Sequence, residues 1–147
     1  MSTDLTLAGV CARYDSADIL QDISLDIPAG QSVALLGRNG AGKTSLLHCL
    51  FNMGPQWRGQ VRVKGQDIAG WPTHSIARLG MALVPQGQGR FPTLTVAESL
   101  RLAEQNLNLA LRLADRALLL GHGQLVYDGS ARQLRQDAAL LQRHLGL

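Results

Sequence analysis

The sequence runs to 147 residues, room for one domain with a buried core and not comfortably for two. Hydrophobic residues at 46% and charged residues at 17% exclude a disordered composition, while aromatics at 4% leave the core to Leu, Ile, Val and Ala. The net charge of +3 comes from Lys and Arg residues scattered singly; it is compatible with anionic ligands, nucleic acid or a lipid surface and decides little between them.

In chain order, Leu5, Leu7 and Val10 alternate loosely with polar residues, as a half-buried strand does. Leu20, Ile23, Leu25 and Ile27 continue that pattern up to a turn at Pro28-Ala-Gly30. Ser32 to Leu36 is short and almost wholly apolar, which predicts a strand buried on both faces. A helix opens at Lys43. Gly59 to Val63 predicts another strand, Lys64 to Asp67 a turn, and Pro72 to Leu79 a brief helix with Pro72 near its first turn. Met81 to Val84 predicts a further apolar strand. Thr95 and Glu98 have the spacing of a capping box.

Leu107, Leu109, Leu111, Leu113 and Leu118 fit a leucine-rich helix only in part. Ala117 to Leu120, Gly121-His-Gly123 and Leu125-Val-Tyr127 predict a tight hairpin, with His122 at the surface. From Ser130 the tail is amphipathic and helical, with Leu134, Leu140, Leu141 and Leu145 near one side. Alternating strands and helices predict an α/β domain with a mostly parallel sheet, preceded by a small antiparallel layer. Cys11 and Cys49 have no metal-ligand or CxxC spacing and are expected as reduced, buried thiols. The N-terminus has no basic region followed by an apolar stretch, so no secretory signal is expected. The longest apolar runs are too short to cross a bilayer, so no direct membrane insertion is expected.

The strongest chemical signal is Gly37-Arg38-Asn39-Gly40-Ala41-Gly42-Lys43-Thr44, which fits G-x-x-x-x-G-K-[ST]. The glycines let successive N–H groups point into one concavity, and the helix that opens there adds its unpaired donors and positive dipole end. Lys43 supplies a mobile charge for the outer phosphates, and the Thr44 hydroxyl is the expected Mg²⁺ ligand. An apolar strand before and a helical run after give the motif its required setting.

With its flanking residues this loop resembles the ATP-binding cassette of ABC transporters, and more narrowly the branched-chain amino acid and urea importer group. Asp22 to Gly30, running into Ser32 to Ser45, resembles the approach to the cassette phosphate loop. Arg78 to Val96 is similar to the Q-loop region, which places Gln86 in the role of touching Mg²⁺ and the attacking water. Glu104-Gln105-Asn106 resembles the switch region, where this group commonly reads Glu-Gln-Asn instead of Glu-His, so Gln105 stands at the switch position. Tyr14 sits where cassettes place an aromatic that stacks on adenine; a half-buried strand residue is the equal alternative. The resemblance implies an α/β P-loop NTPase cassette core with nucleotide contacts from Tyr14 and residues Gly37 to Ser45, and ATP and Mg²⁺ as cofactors. Its implied partners are permease subunits and a second ATP-binding subunit, the same or different, with the protein cytoplasmic and peripheral at the inner face of the plasma membrane.

Residues 1–147 read as a single cassette domain with one interruption near 100–104. No Ser-Gly-Gly occurs, and no apolar run ends in Asp-Glu, so the signature motif and the Walker B carboxylates that the resemblance implies are missing along with the helical subdomain. Glu104 is a poor substitute, because Arg101 breaks the run before it and Glu104 already matches the switch region. Three functions are weighed. The first is the ATPase subunit of an importer for branched-chain amino acids, urea or similar solutes. The second is a hydrolysis-deficient nucleotide-binding module or vestigial cassette fragment. The third, nucleic-acid binding, lacks its basic stripe with interleaved aromatics.

Overall fold

The computed structural model describes residues 2–83 and 107–146, with side chains from residue 110 onward in the second stretch. Strand β1 (Thr3–Tyr14) turns back at Asp15-Ser16 into β2 (Ala17–Pro28), with Asp15 in the left-handed region at φ +48°. Strands β4 (Gln56–Val63) and β5 (Gln66–Asp67) complete a four-stranded antiparallel sheet of order β2-β1-β4-β5. Its β1–β2 pair is the expected N-terminal layer, which β4 and β5 join from later in the chain. The second sheet has the order β3-β6-β7: β3 (Val33–Gly37) runs parallel to β6 (Arg116–Gly121), which forms an antiparallel hairpin with β7 (Gln124–Ser130). Among the described residues β3–β6 is the single parallel pair.

The loose alternation in β1 and β2 has a local cause. Leu7 and Val10 are both buried although they stand three positions apart, and so are Leu20 and Ile23. A strand alternates strictly by two, so an extra residue must be absorbed in each. The register shifts between Leu7 and Val10, where Gly9 has φ +58° and Asp22 on β2 has φ +50°. On the other side of β1, Gly59 of β4 has φ +105°, and a Cβ there would stand 2.5 Å from the Gly9 carbonyl oxygen. One irregularity thus crosses three strands and returns each apolar face to the core.

Strand β6 is the spine of the molecule. Leu118 and Leu120 point to one core with Val10, Leu20, Ile23, Val61, Ile68 and Ile76, joined by Leu46 and Cys49 of α1 (Lys43–Cys49). Ala117 and Leu119 point to a second cluster with Leu111 of α3 (Leu107–Leu113) and with Ala131 and Leu134 of α4 (Ala131–Gln136). All four are buried, the pattern of a strand covered on both faces. Sequence reasoning assigned that status to β3, yet only Ala34 there is buried and Val33, Leu35 and Leu36 are half-buried. Among the described residues its one ladder partner is β6. Its start is fixed by a clasp: Ser32 N–H donates to Asp115 Oδ2 at 3.0 Å, and the Ser32 carbonyl accepts from Asp115 N–H at 2.9 Å. Arg116 ties the sheets together, donating through Nε and Nη2 to the Asp128 carboxylate at 2.6 Å each and through Nη1 to the Asp26 carbonyl of β2.

Further expectations change, among them the turn at Lys64 to Asp67, whose last two residues form β5 paired with β4. Met81 to Leu83 form no strand, and Val84 lies outside the described residues. Met81 and Leu83 instead pack, half-buried, against the larger core, so their apolar character is satisfied without a ladder. The tail is not one helix but two, α4 and α5 (Ala138–Leu145), separated at Asp137. Asp137 caps the second, its Oδ1 accepting from Leu140 N–H at 3.0 Å, as Ser130 Oγ caps the first by accepting from Gln133 N–H at 3.3 Å. The brief helix α2 (Thr73–Ala77) follows Pro72, as expected.

Cys11 and Cys49 are free thiols, half-buried and buried respectively. Burial pushes the Cys49 thiol up to about 11, from an ordinary 9.0. A raised folded-state value means the unfolded chain ionises first, so this group's stabilisation is complete below pH 9 and is lost as pH climbs through about 11. Urea unfolding midpoints across that window should therefore fall more steeply in the native sequence than in Cys49→Ala. Equal slopes would remove Cys49 as the cause.

Candidate phosphate-binding site

The loop between β3 and α1 is built around three glycines with different duties. At Gly37 a Cβ would lie 2.7 Å from the Leu120 carbonyl oxygen and 3.0 Å from Ala41 Cβ, so a side chain would push β3 off β6. Gly40 at φ +85° and Gly42 at φ +107° hold backbone that other residues rarely adopt, and a Cβ on Gly42 would also stand 2.8 Å from Leu20 Cδ2. Between them Ala41 N–H donates to the Arg38 carbonyl at 3.0 Å and closes a tight turn. Arg38 and Asn39 are exposed at its tip, and Ala41 is buried.

Gly42 caps α1 with no side-chain hydrogen bond. The first intrahelical bond is donated by Leu46 N–H to the Gly42 carbonyl at 2.9 Å. Among the described residues the N–H groups of Gly42, Lys43, Thr44 and Ser45 find no protein acceptor. Such orphan donors at a helix start, joined to the positive end of the dipole, suit an anion. Lys43 folds back across the loop, its Nζ donating to the Gly37 carbonyl at 2.5 Å. A phosphate oxygen is a stronger acceptor than a carbonyl, so an incoming polyphosphate can take over that donor. Thr44 is exposed and Ser45 half-buried, which leaves the Thr44 hydroxyl accessible at the loop.

These residues fit a polyphosphate. For Mg²⁺ the fit is narrower: the described residues hold no group of three or more His, Cys, Asp or Glu able to bind a metal by themselves. A hard cation that keeps several waters would rest on phosphate oxygens with Thr44 as its protein ligand. Gln86 and Gln105, the other residues assigned by resemblance, lie outside the described residues, as do Thr95 and Glu104.

Tyr14 is 41% exposed at the end of β1. Its hydroxyl lies beside Gly54, where a Cβ would come within 2.6 Å of it and within 3.3 Å of His48 Nδ1. The tyrosine thus stands near the last turn of α1, with Gly54 as the small residue that admits it. His122 is exposed at φ +50°, in the hairpin turn where it was expected. The neighbouring Gly123, which the sequence places in the turn without indicating its neighbour, is buried against the loop. The signal available was His-Gly between two apolar runs, which specifies a two-residue turn but not what the turn leans on.

A family model described as "ABC transporter" matches residues 20–146. Similar curated proteins include the high-affinity branched-chain amino acid transport ATP-binding protein BraG of Pseudomonas aeruginosa. It is 36% identical over 98 residues, which is 67% of this chain and 42% of that one. The probable branched-chain amino acid transport ATP-binding protein LivF of Archaeoglobus fulgidus is 38% identical over 92 residues, 63% of this chain and 39% of the relative. The lipopolysaccharide export system ATP-binding protein LptB of Haemophilus influenzae is 35% identical over 96 residues, 65% of this chain and 40% of the relative. The matched stretch thus spans about two fifths of these relatives. Among solved structures, a bacterial Atm1-family ABC exporter with ATP bound has the same fold: TM-score 0.71, 21% identity, 93% of this chain and 41% of that one.

Proposed function

The chain belongs to the ABC transporter family, and from that premise we propose that it binds Mg²⁺-ATP through residues Gly37 to Ser45 as the ATP-binding part of an ABC importer. The observation that carries this reading is the loop itself: left-handed glycines, a run of N–H groups without protein acceptors, and Lys43 spanning the loop to Gly37. Lys43 and the backbone donors would hold the phosphates, and the Thr44 hydroxyl and, by resemblance, Gln86 would hold the metal. Tyr14 offers an aromatic face to the base. The cation, when bound, neutralises phosphate charge; positioning of the polyphosphate falls to the loop.

The import of branched-chain amino acids or similar small solutes is supported by the names of BraG and LivF and by Gln105 at the switch position. LptB, at comparable identity, serves lipopolysaccharide export, so the solute is a property of the permease partner more than of this chain. A second ATP-binding subunit and permease subunits complete the proposed assembly.

A specific observation favours a second reading, a hydrolysis-deficient nucleotide-binding module. The sequence contains no Asp-Glu pair and no Ser-Gly-Gly, so it carries neither an adjacent metal-ligand and water-activating pair nor a signature for a partner's nucleotide. Water must be oriented and the transferred group neutralised for phosphoryl transfer to run.

Thermal melts with and without Mg²⁺-ATP test the binding. At a ligand concentration of about a hundred times Kd, linkage adds about 2.7 kcal/mol, enough to raise the midpoint by several degrees. An unchanged midpoint at saturating nucleotide would sink the phosphate-loop reading. Phosphate release at background is expected of the chain alone; release above background that Lys43→Ala abolishes would sink the hydrolysis-deficient reading.

A further inference from the structure

The turn of the β6–β7 hairpin reaches away from its own sheet and touches both the phosphate loop and β2. His122 and Gly123 have φ of +50° and +77°, the pair of left-handed residues a two-residue hairpin uses. Gly123 N–H donates to the Ala41 carbonyl at 3.0 Å, and the Gly123 carbonyl accepts from Gln21 N–H at 2.8 Å. A Cβ on Gly123 would fall 2.0 Å from the Ile19 carbonyl oxygen, so glycine alone allows the approach. The side chains of Gln124 and Gln21 add a hydrogen bond at 3.2 Å beside it.

Resting on the phosphate-loop reading, we propose that Gly123 is a positioning residue for nucleotide: its N–H clamps the Ala41–Gly42 peptide so that the Gly42 N–H faces the phosphates. The reason is stereochemical. A trans peptide is planar, with its C=O and N–H on opposite sides. Fixing the Ala41 carbonyl toward Gly123 fixes the Gly42 N–H away from it, and Ala41 N–H is already committed to Arg38. Gly42, at φ +107° and without a side chain, has nothing of its own to fix the orientation of that peptide. The clamp is anchored in turn on β2 through Gln21, so the antiparallel layer holds the loop through the hairpin. An aimed donor loses less on binding than one that must first be ordered.

The test uses the full chain with Mg²⁺-ATP and inorganic tripolyphosphate as probes in titration calorimetry. Gly123→Ala should weaken both, but its clash with Ile19 can also unfold the hairpin. The deciding variant therefore replaces the residue-123 amide by the ester (glycolic acid in place of glycine), which removes the donor and keeps the shape. Affinity for both probes should fall by about tenfold, the worth of one well-placed hydrogen bond, with a cooperative melt retained. Full affinity in the folded ester variant would overturn the proposal. In the unaltered protein, hydrogen exchange at the Gly123 amide should slow with nucleotide more than at amides of β1, since loop and clamp tighten together. No preferential slowing would also overturn it, whether or not the ester variant folds. If the unaltered chain binds neither probe, the phosphate-loop reading fails first and the clamp with it.

Discussion

Lys43→Ala is expected to weaken Mg²⁺-ATP binding by about a hundredfold, close to 3 kcal/mol, the range of a charge-assisted hydrogen bond lost from a phosphate. The rise in melting midpoint with nucleotide should vanish with it. The unliganded melt should hardly move, because what the substitution removes from the protein itself is one contact, Nζ to the Gly37 carbonyl at 2.5 Å. That split between a large binding effect and a small stability effect separates a ligand-holding lysine from a structural one. Lys43→Arg should not restore affinity, since a planar five-donor fork replaces a compact charge within a loop sized for the latter. Equal binding by Lys43→Ala and the native sequence would remove residues Gly37 to Ser45 as the site.

The loop was legible because its chemistry is local. Eight consecutive residues dictate the bend, the donors and the helix start, so spacing alone suffices. The hairpin of β6 and β7 was legible for the same reason, with two apolar runs and a His-Gly between them. Strands β1 and β2 were legible only in outline. Their alternation slips at Gly9 and Asp22, and a one-residue slip moves an apolar set to the wrong face unless a bulge restores it. Which strand bulges against which is decided across β1, β2 and β4 together, and no single segment contains that information.

Two further gaps have tertiary causes. Met81 to Leu83 look like a strand because they are apolar, but burial against the core satisfies an apolar run whether or not a ladder forms. The Gly123 clamp joins residues more than eighty positions apart in sequence, Ala41 to Gly123, and a turn signal does not say what it leans on. The same holds for Arg116, whose side chain meets β2 and β7 together. The sites that couple the two sheets are therefore the ones a linear reading misses, and they frame the loop that a linear reading finds most easily.

That coupling makes Leu120 the residue whose truncation should harm the fold most specifically. It is fully buried, it faces the larger core, and its carbonyl sits where a Cβ on Gly37 would be, 2.7 Å away. Leu120→Ala should cost about 2–5 kcal/mol, the transfer free energy of the lost atoms plus a cavity that β6, covered on both faces, is poorly able to close. Native domains rest on only about 5–15 kcal/mol, so the urea midpoint should drop by a large fraction. Leu113→Ala is the matched control: Leu113 is 54% exposed at the end of α3, and its loss should stay within about 0.5 kcal/mol. Nucleotide should behave in the reverse of the Lys43 pattern. The folded fraction of Leu120→Ala keeps the loop's donors, so saturating Mg²⁺-ATP should recover much of its melt, because a ligand that binds only the native state pulls the population toward it. A Leu120→Ala protein as stable as its parent would mean that β6 is not the strand on which the loop is mounted.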